Sequence, residues 1–123
     1  SVRRSRFINR GRPMMIVTTP TITGKRIVLT HGLVRGNTIR ARHLGKDIGA
    51  VFKNLVGGEI RAYAELLEDS REQALQRMRE DARELGANAV VSVRIATSVV
   101  MAGAAEMLAY GTAVTVEDDA SVV

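Results

Sequence analysis

Five side chains in this sequence are the candidate donors for a metal centre: His31, His43, Asp47, Glu59 and Glu106. The chain has 2 histidines and no cysteine, so a transition-metal site must be built from imidazole and carboxylate. That donor set suits zinc, nickel or copper far better than calcium. His43 and Asp47 stand at i and i+4, which puts both on one face of a helix running through them. Two ligands hold a metal poorly, so assembly would have to multiply them around an axis or complete the set across an interface with Glu59 or Glu106. Each residue also has an ordinary structural role: a His43–Asp47 hydrogen bond, a core or interface histidine between Leu29 and Leu33, an exposed loop acid at Glu106, and at Glu59 a favourable acid near a helix start. On residue type and spacing alone, the structural roles outweigh the metal roles.

Other chemistries are excluded more firmly. Without cysteine there is no disulfide, thiolate nucleophile or Cys-based zinc or iron–sulfur site. Nothing follows a Ser–His–Asp order, a G-x-S-x-G elbow or a paired-carboxylate pattern. Gly57-Gly58 and Gly103-Ala104-Ala105 lack the strand–turn–helix setting of a nucleotide loop. The aromatics are Phe7, Phe52, Tyr63 and Tyr110, which leaves little to stack a flavin or single-stranded bases. The sequence therefore points away from an enzyme.

The elements that must position these residues are read from periodicity. Met15–Thr19 is β-branched and apolar, and Pro20 ends it or confines it to an edge. After a turn at Thr23-Gly24-Lys25, residues Ile27–Val34 alternate. Ile27, Leu29, His31 and Leu33 take one face, and Val28, Thr30, Gly32 and Val34 the other. Gly36-Asn37 reads as the end of that strand. A short helix is expected from about Leu44 to Val56, with Ile48, Val51, Phe52 and Leu55 on one stripe. Gly57-Gly58 interrupts it, since two adjacent glycines cost a helix interior about 2 kcal/mol relative to alanine.

The spacing then predicts a long helix over Glu59–Leu85 with the stripe Ile60, Tyr63, Leu67, Ala74, Met78, Ala82 and Leu85. Pairs such as Glu68–Arg71, Arg77–Asp81 and Glu80–Arg83 fall at neighbouring helical positions. Gly86 supplies the left-handed closing residue. Two strands follow, Ala89–Thr97 and Met107–Val116, joined by a small-residue turn at Ala102-Gly103-Ala104-Ala105. In the last strand Met107, Ala109, Gly111, Ala113 and Thr115 form a face open to close backbone approach.

The order β–β–α–β–β gives an α+β fold, a two-layer domain in which a small antiparallel sheet is packed by one long helix. Its strands are apolar on both faces and no second layer of helices is available, so oligomerisation is the economical way to cover the sheet.

At 123 residues the chain has room for one core. The net charge of +5 is carried by Arg3, Arg4, Arg6, Arg10 and Arg12; the remaining 13 basic residues are matched by 13 acids. Residues 1–14 are read as a basic leader outside the folded unit, with Met14-Met15 resembling an initiation point. Residues 15–117 form the domain, and 118–123 an acidic end expected to fray. Such a leader gives salt-sensitive, non-specific nucleic-acid binding. The apolar run Val99–Ala105 is far short of the roughly 20 residues that span a bilayer, and the N-terminus has no apolar signal core; the cytoplasm is the expected compartment, with no membrane partner.

Several of these segments resemble one family. Ile16-Val17-Thr18-Thr19-Pro20-Thr21-Ile22 with Val34-Arg35-Gly36, Leu55-Val56-Gly57-Gly58-Glu59 with Tyr63, Glu84-Leu85-Gly86-Ala87-Asn88-Ala89-Val90-Val91, and Ala109-Tyr110-Gly111-Thr112-Ala113-Val114 are similar to the opening strands, helix start, helix–strand junction and last strand of the YbjQ family. The resemblance spans about Met15 to Glu117. It implies a dodecin-like subunit assembled as a ring-shaped homopentamer, and a role in heavy-metal binding. The function expected is thus a non-catalytic, homopentameric binder of a small ligand or heavy metal. The alternative is an oligomeric scaffold or nucleic-acid-associated protein working through the arginine leader.

Overall fold

The computed structural model describes residues 13–41, 58–101 and 104–120. Within them the order is β1 (Met15–Ile16), β2 (Lys25–Ala41), α1 (Gly58–Glu84), β3 (Ala89–Met101) and β4 (Ala104–Asp118). The sheet order is β1-β3-β4-β2. β4 is antiparallel to both neighbours, but β1 runs parallel to β3, with Met15 opposite Ala89. The sheet is therefore mixed rather than wholly antiparallel. The cause is the path of the chain, which enters along one edge and crosses to the opposite edge before β2 begins. The expected helix at Leu44–Val56 and the Gly57 interruption lie outside the described residues. No described helix is long and apolar enough to cross a membrane.

β2 does not stop at Gly36-Asn37 but continues to Ala41. Gly36 keeps ordinary strand geometry and acts through the side chain it lacks. A Cβ there would collide with the Ala74 carbonyl oxygen and the Met78 amide nitrogen, and would stand 2.7 Å from Arg77 Cβ. Glycine in this strand marks a helix backbone laid directly on the sheet. Around that contact Ala74, Met78 and Ala82 of α1 pack with Val34, Val90, Val93, Met107, Ala109 and Ala113 into the main core. Thr38, also buried, donates from Oγ1 to the Ser70 carbonyl at 3.2 Å. The small-residue face of β4 is thus the bed of the chain's own helix.

The helix closes as its sequence requires. Gly86 takes φ 85°; its N–H bonds the Arg83 carbonyl and the Ala87 N–H bonds the Ala82 carbonyl. That pair is the Schellman pattern, completed by apolar Ala87 and Ala82 in the core. Leu85 falls beyond the helix end and is exposed rather than on the buried stripe. Arg77 and Asp81 turn to the β2 backbone instead of to each other.

Strict alternation fails in β3. A bulge between Val91 and Arg94, with Ser92 at φ 55°, puts both Val90 and Val93 on the helix side. Ala89, Val91 and Val114 face the other way, where Val17, Ile22 and Val116 pack against them in a second small cluster. Part of the second sheet face is therefore covered by the crossing segment of the same chain. At the acidic end β4 extends to Asp118, where Lys25 pairs with Asp118, and Arg26 with Glu117 at 3.6 Å. Antiparallel register sets these opposite charges side by side.

Candidate ligand-binding site

Of the five candidate donors, His43 and Asp47 lie outside the described residues. Glu59 falls in the first turn of α1. His31 sits in the β2 bulge between Thr30 and Gly32, where Gly32 takes φ 118°. It is half-buried, and its Nε2 is 2.7 Å from Thr115 Oγ1, the arrangement of a satisfied structural histidine. Glu106 is also half-buried, on β4 opposite Ile39 and Ser98, and its Oε2 accepts a bond from Asn37 Nδ2 at 3.2 Å.

The fold keeps His31 and Glu106 apart. Thr115, the partner of His31, is nine residues along β4 from Glu106, about 30 Å at strand rise. Thr115 also has the parity of the helix-side residues Ala109 and Ala113, whereas Glu106 has the opposite parity. Among the described residues no group of three or more His, Asp or Glu could hold a metal ion. The described donors of one chain therefore do not fit a metal by themselves.

The register does assemble a constellation that residue type alone left unnoticed. On the face away from the helix, Arg94, Tyr110 and Arg35 stand in one row across β3, β4 and β2. Ala96, Leu108 and Asn37 form the next row, and Ser98, Glu106 and Ile39 the third. Arg94 Nη1 donates to the Thr18 carbonyl at 2.9 Å and to the Val93 carbonyl at 2.8 Å, which fixes its guanidinium. Neither arginine is ion-paired among the described residues. The row is cationic, with exposed Leu33 in the adjacent row and exposed Ile39 two rows away on the other side, at 68% and 61% of full exposure. Strand parity in Arg94–Ala96–Ser98 was the available signal, but the Ser92 bulge and the cross-strand register decide which residues meet.

Comparison with known proteins agrees with this architecture. A UPF0145 protein of Clostridioides difficile (strain 630) is 61% identical over 109 residues, covering 89% of this chain and 97% of the relative. One from Methanosarcina acetivorans is 59% identical over 101 residues, covering 82% and 95%. A solved structure of a protein of unknown function in the DUF74 family, from Pediococcus pentosaceus ATCC 25745, superposes with TM-score 0.59 at 17% identity. It covers 86% of this chain and 100% of that one, and supports the fold alone. The profile of the YbjQ family, described as "Putative heavy-metal-binding", matches residues 14–117. With its helix seated on Gly36, its Gly86 closure and its β3–β4 hairpin all inside that match, the chain belongs to the YbjQ family.

Proposed function

We propose that this chain is a non-catalytic subunit of a dodecin-like, ring-shaped homopentamer that binds a divalent transition metal or small ligand where copies meet. The observation that carries the reading is the family match, with its heavy-metal description, over almost the whole folded unit. The separation of the described donors supports a site shared between copies over one held within a chain. Glu106 stands two residues beyond Ala104, which pairs with Ala41; His43 follows Ala41 by two residues. Glu106 thus belongs to the hairpin end of the sheet, and His31 is remote from it; His43, Asp47 and Glu59 are the further donors of the proposed site. Imidazole plus carboxylate suits zinc, nickel or copper.

Native mass spectrometry on protein prepared without chelators or nickel resin tests this reading. The expected result is five subunits with a discrete metal increment that disappears in a His43→Ala, Glu106→Ala double variant. Unchanged metal content in the double variant would remove the site, and a metal-free pentamer would remove the metal role.

A second reading is favoured by Arg35 and Arg94, which pair with no carboxylate among the described residues, on the sheet face away from the helix: a scaffold that associates with nucleic acid through Arg3, Arg4, Arg6, Arg10 and Arg12. A pentamer multiplies that arm fivefold, with avidity to match. Deleting residues 1–13 should abolish DNA or RNA binding and leave metal content intact. Retained binding would reject the arm as the contact.

A further inference from the structure

The two edges of the sheet are treated differently. At the β2 edge, Asp81 accepts a bond from the Arg35 N–H at 3.2 Å and Arg77 donates to the Asn37 carbonyl at 2.5 Å. Charged helix side chains bonded to the outward backbone groups obstruct an incoming strand. At the β3 edge the first residues are covered as well: the Val17 N–H bonds the Val90 carbonyl, the Val93 N–H bonds the Val17 carbonyl, and the Ser92 N–H bonds the Thr19 carbonyl. Past Arg94 this cover ends among the described residues.

The outward groups there can be assigned. Because the Arg35 N–H points to the free edge, Arg35 and Tyr110 are a non-hydrogen-bonded pair, so Tyr110 turns its own N–H and C=O to Arg94. Ala96 and Ser98 likewise face β4. The N–H and C=O groups of Ile95, Thr97 and Val99 therefore point outward, and no described residue meets them. The run Ile95–Val99 carries no charge, proline or glycine. Ile95 and Val99 are 43% and 68% exposed on the helix side, because α1 lies over β2 and β4 and barely reaches β3.

We propose that the outer edge of β3, Ile95–Val99, is an interface strand covered by a second copy of this chain. The proposal rests on the homo-oligomeric reading above and locates its contact. An uncharged, β-branched edge left open is an aggregation hazard that needs permanent cover. Another copy of the chain is the partner available in matching amount wherever the protein is made. The run has no charge for a charged partner to complement, and its apolar flanks suit a contact that stays closed. The same chain blocks its β2 edge with Asp81 and Arg77, so the open edge is selective.

Thr97→Pro removes one outward N–H and none of the bonds to β4, at the kind of edge position where proline is tolerated. Val99→Lys instead places a charge on the exposed flank. Wild type and both variants are compared by sedimentation at matched concentration, with circular dichroism to monitor folding and hydrogen exchange at the amides of residues 95, 97 and 99. The expected result is an assembled wild type with those amides protected, and variants that keep their fold but dissociate at least tenfold more readily. Variants that assemble like wild type would overturn the edge assignment while leaving self-association standing. A monomeric wild type with protected amides would show the chain covering its own edge, and would overturn the proposal. A monomeric wild type with fast-exchanging amides would overturn both the proposal and the oligomeric reading.

Discussion

Gly36→Ala is the sharpest test of how the helix is held on the sheet. The added methyl group collides with two backbone atoms of α1, the Ala74 carbonyl oxygen and the Met78 amide nitrogen, and lies 2.7 Å from Arg77 Cβ. Backbone atoms cannot rotate away, so the helix must retreat by about 1 Å to restore ordinary contact. That retreat loosens Ala74, Met78 and Val34 together and stretches the Thr38–Ser70 hydrogen bond. Overpacking of this kind costs about 3 kcal/mol, the upper end of the usual range, which lowers the melting temperature by roughly 12–24 °C in a domain of this size. Gly24→Ala is the control: Gly24 has φ 78° and open space around its Cβ position, so it carries only left-handed strain of about 1 kcal/mol. Urea unfolding followed by circular dichroism, at one fixed protein concentration because assembly contributes to stability, measures both. A Gly36→Ala variant within 0.5 kcal/mol of wild type, a bound set well inside the overpacking estimate, would refute the direct seating of α1 on β2.

Asn88 continues the β3 ladder by side chain: its Nδ2 donates to the Val116 carbonyl at 2.9 Å and its Oδ1 accepts the Val116 N–H at 2.8 Å. Asn88→Ala should cost about 2 kcal/mol in urea unfolding, two hydrogen bonds at about 1 kcal/mol each; a cost under half of that would mean water replaces both. Ser92→Gly relieves a left-handed serine while keeping its N–H bond to the Thr19 carbonyl, so stability should hold or rise by up to about 1 kcal/mol. A large loss would locate an unrecognised role in the serine side chain. Lys25→Ala should cost less than about 1 kcal/mol, because its partner Asp118 is exposed. A double-mutant cycle with Asp118→Ala should show that small coupling fading as salt rises.

Much of this architecture was legible in the sequence because it depends on local spacing. The helix over Gly58–Glu84 declared itself through Ala74, Met78 and Ala82, and Gly86 marked its end. The extent of β2 was not legible. A glycine that breaks a strand and one that admits a helix backbone are the same letter, and only the helix tells them apart. The Ser92 bulge was hidden for a related reason: alternation predicts faces until one residue is inserted, and serine gives no warning of positive φ. Opposite charges at Lys25 and Asp118 meet only through register across the whole chain. The donor reading was limited in the same way, since His31 and Glu106 look alike as candidates until β4 sets them about nine residues apart at about 3.3 Å each.

The pairing of β2 with β4 has a consequence for how the chain is made. β2 ends at Ala41 and its hydrogen-bonding neighbour begins at Ala104, so a growing polypeptide must be extended by 63 residues between them. At ordinary synthesis rates that takes roughly 3–13 s, far longer than helix formation needs. During this interval the ribosome presents a 17-residue strand with no sheet to join. Helix α1 emerges before β4 and already carries the groove-fitting surface for Gly36, along with Arg77 and Asp81 for the strand's outer backbone. The helix can therefore serve the nascent chain as an internal chaperone, holding β2 until β4 arrives to close the sheet.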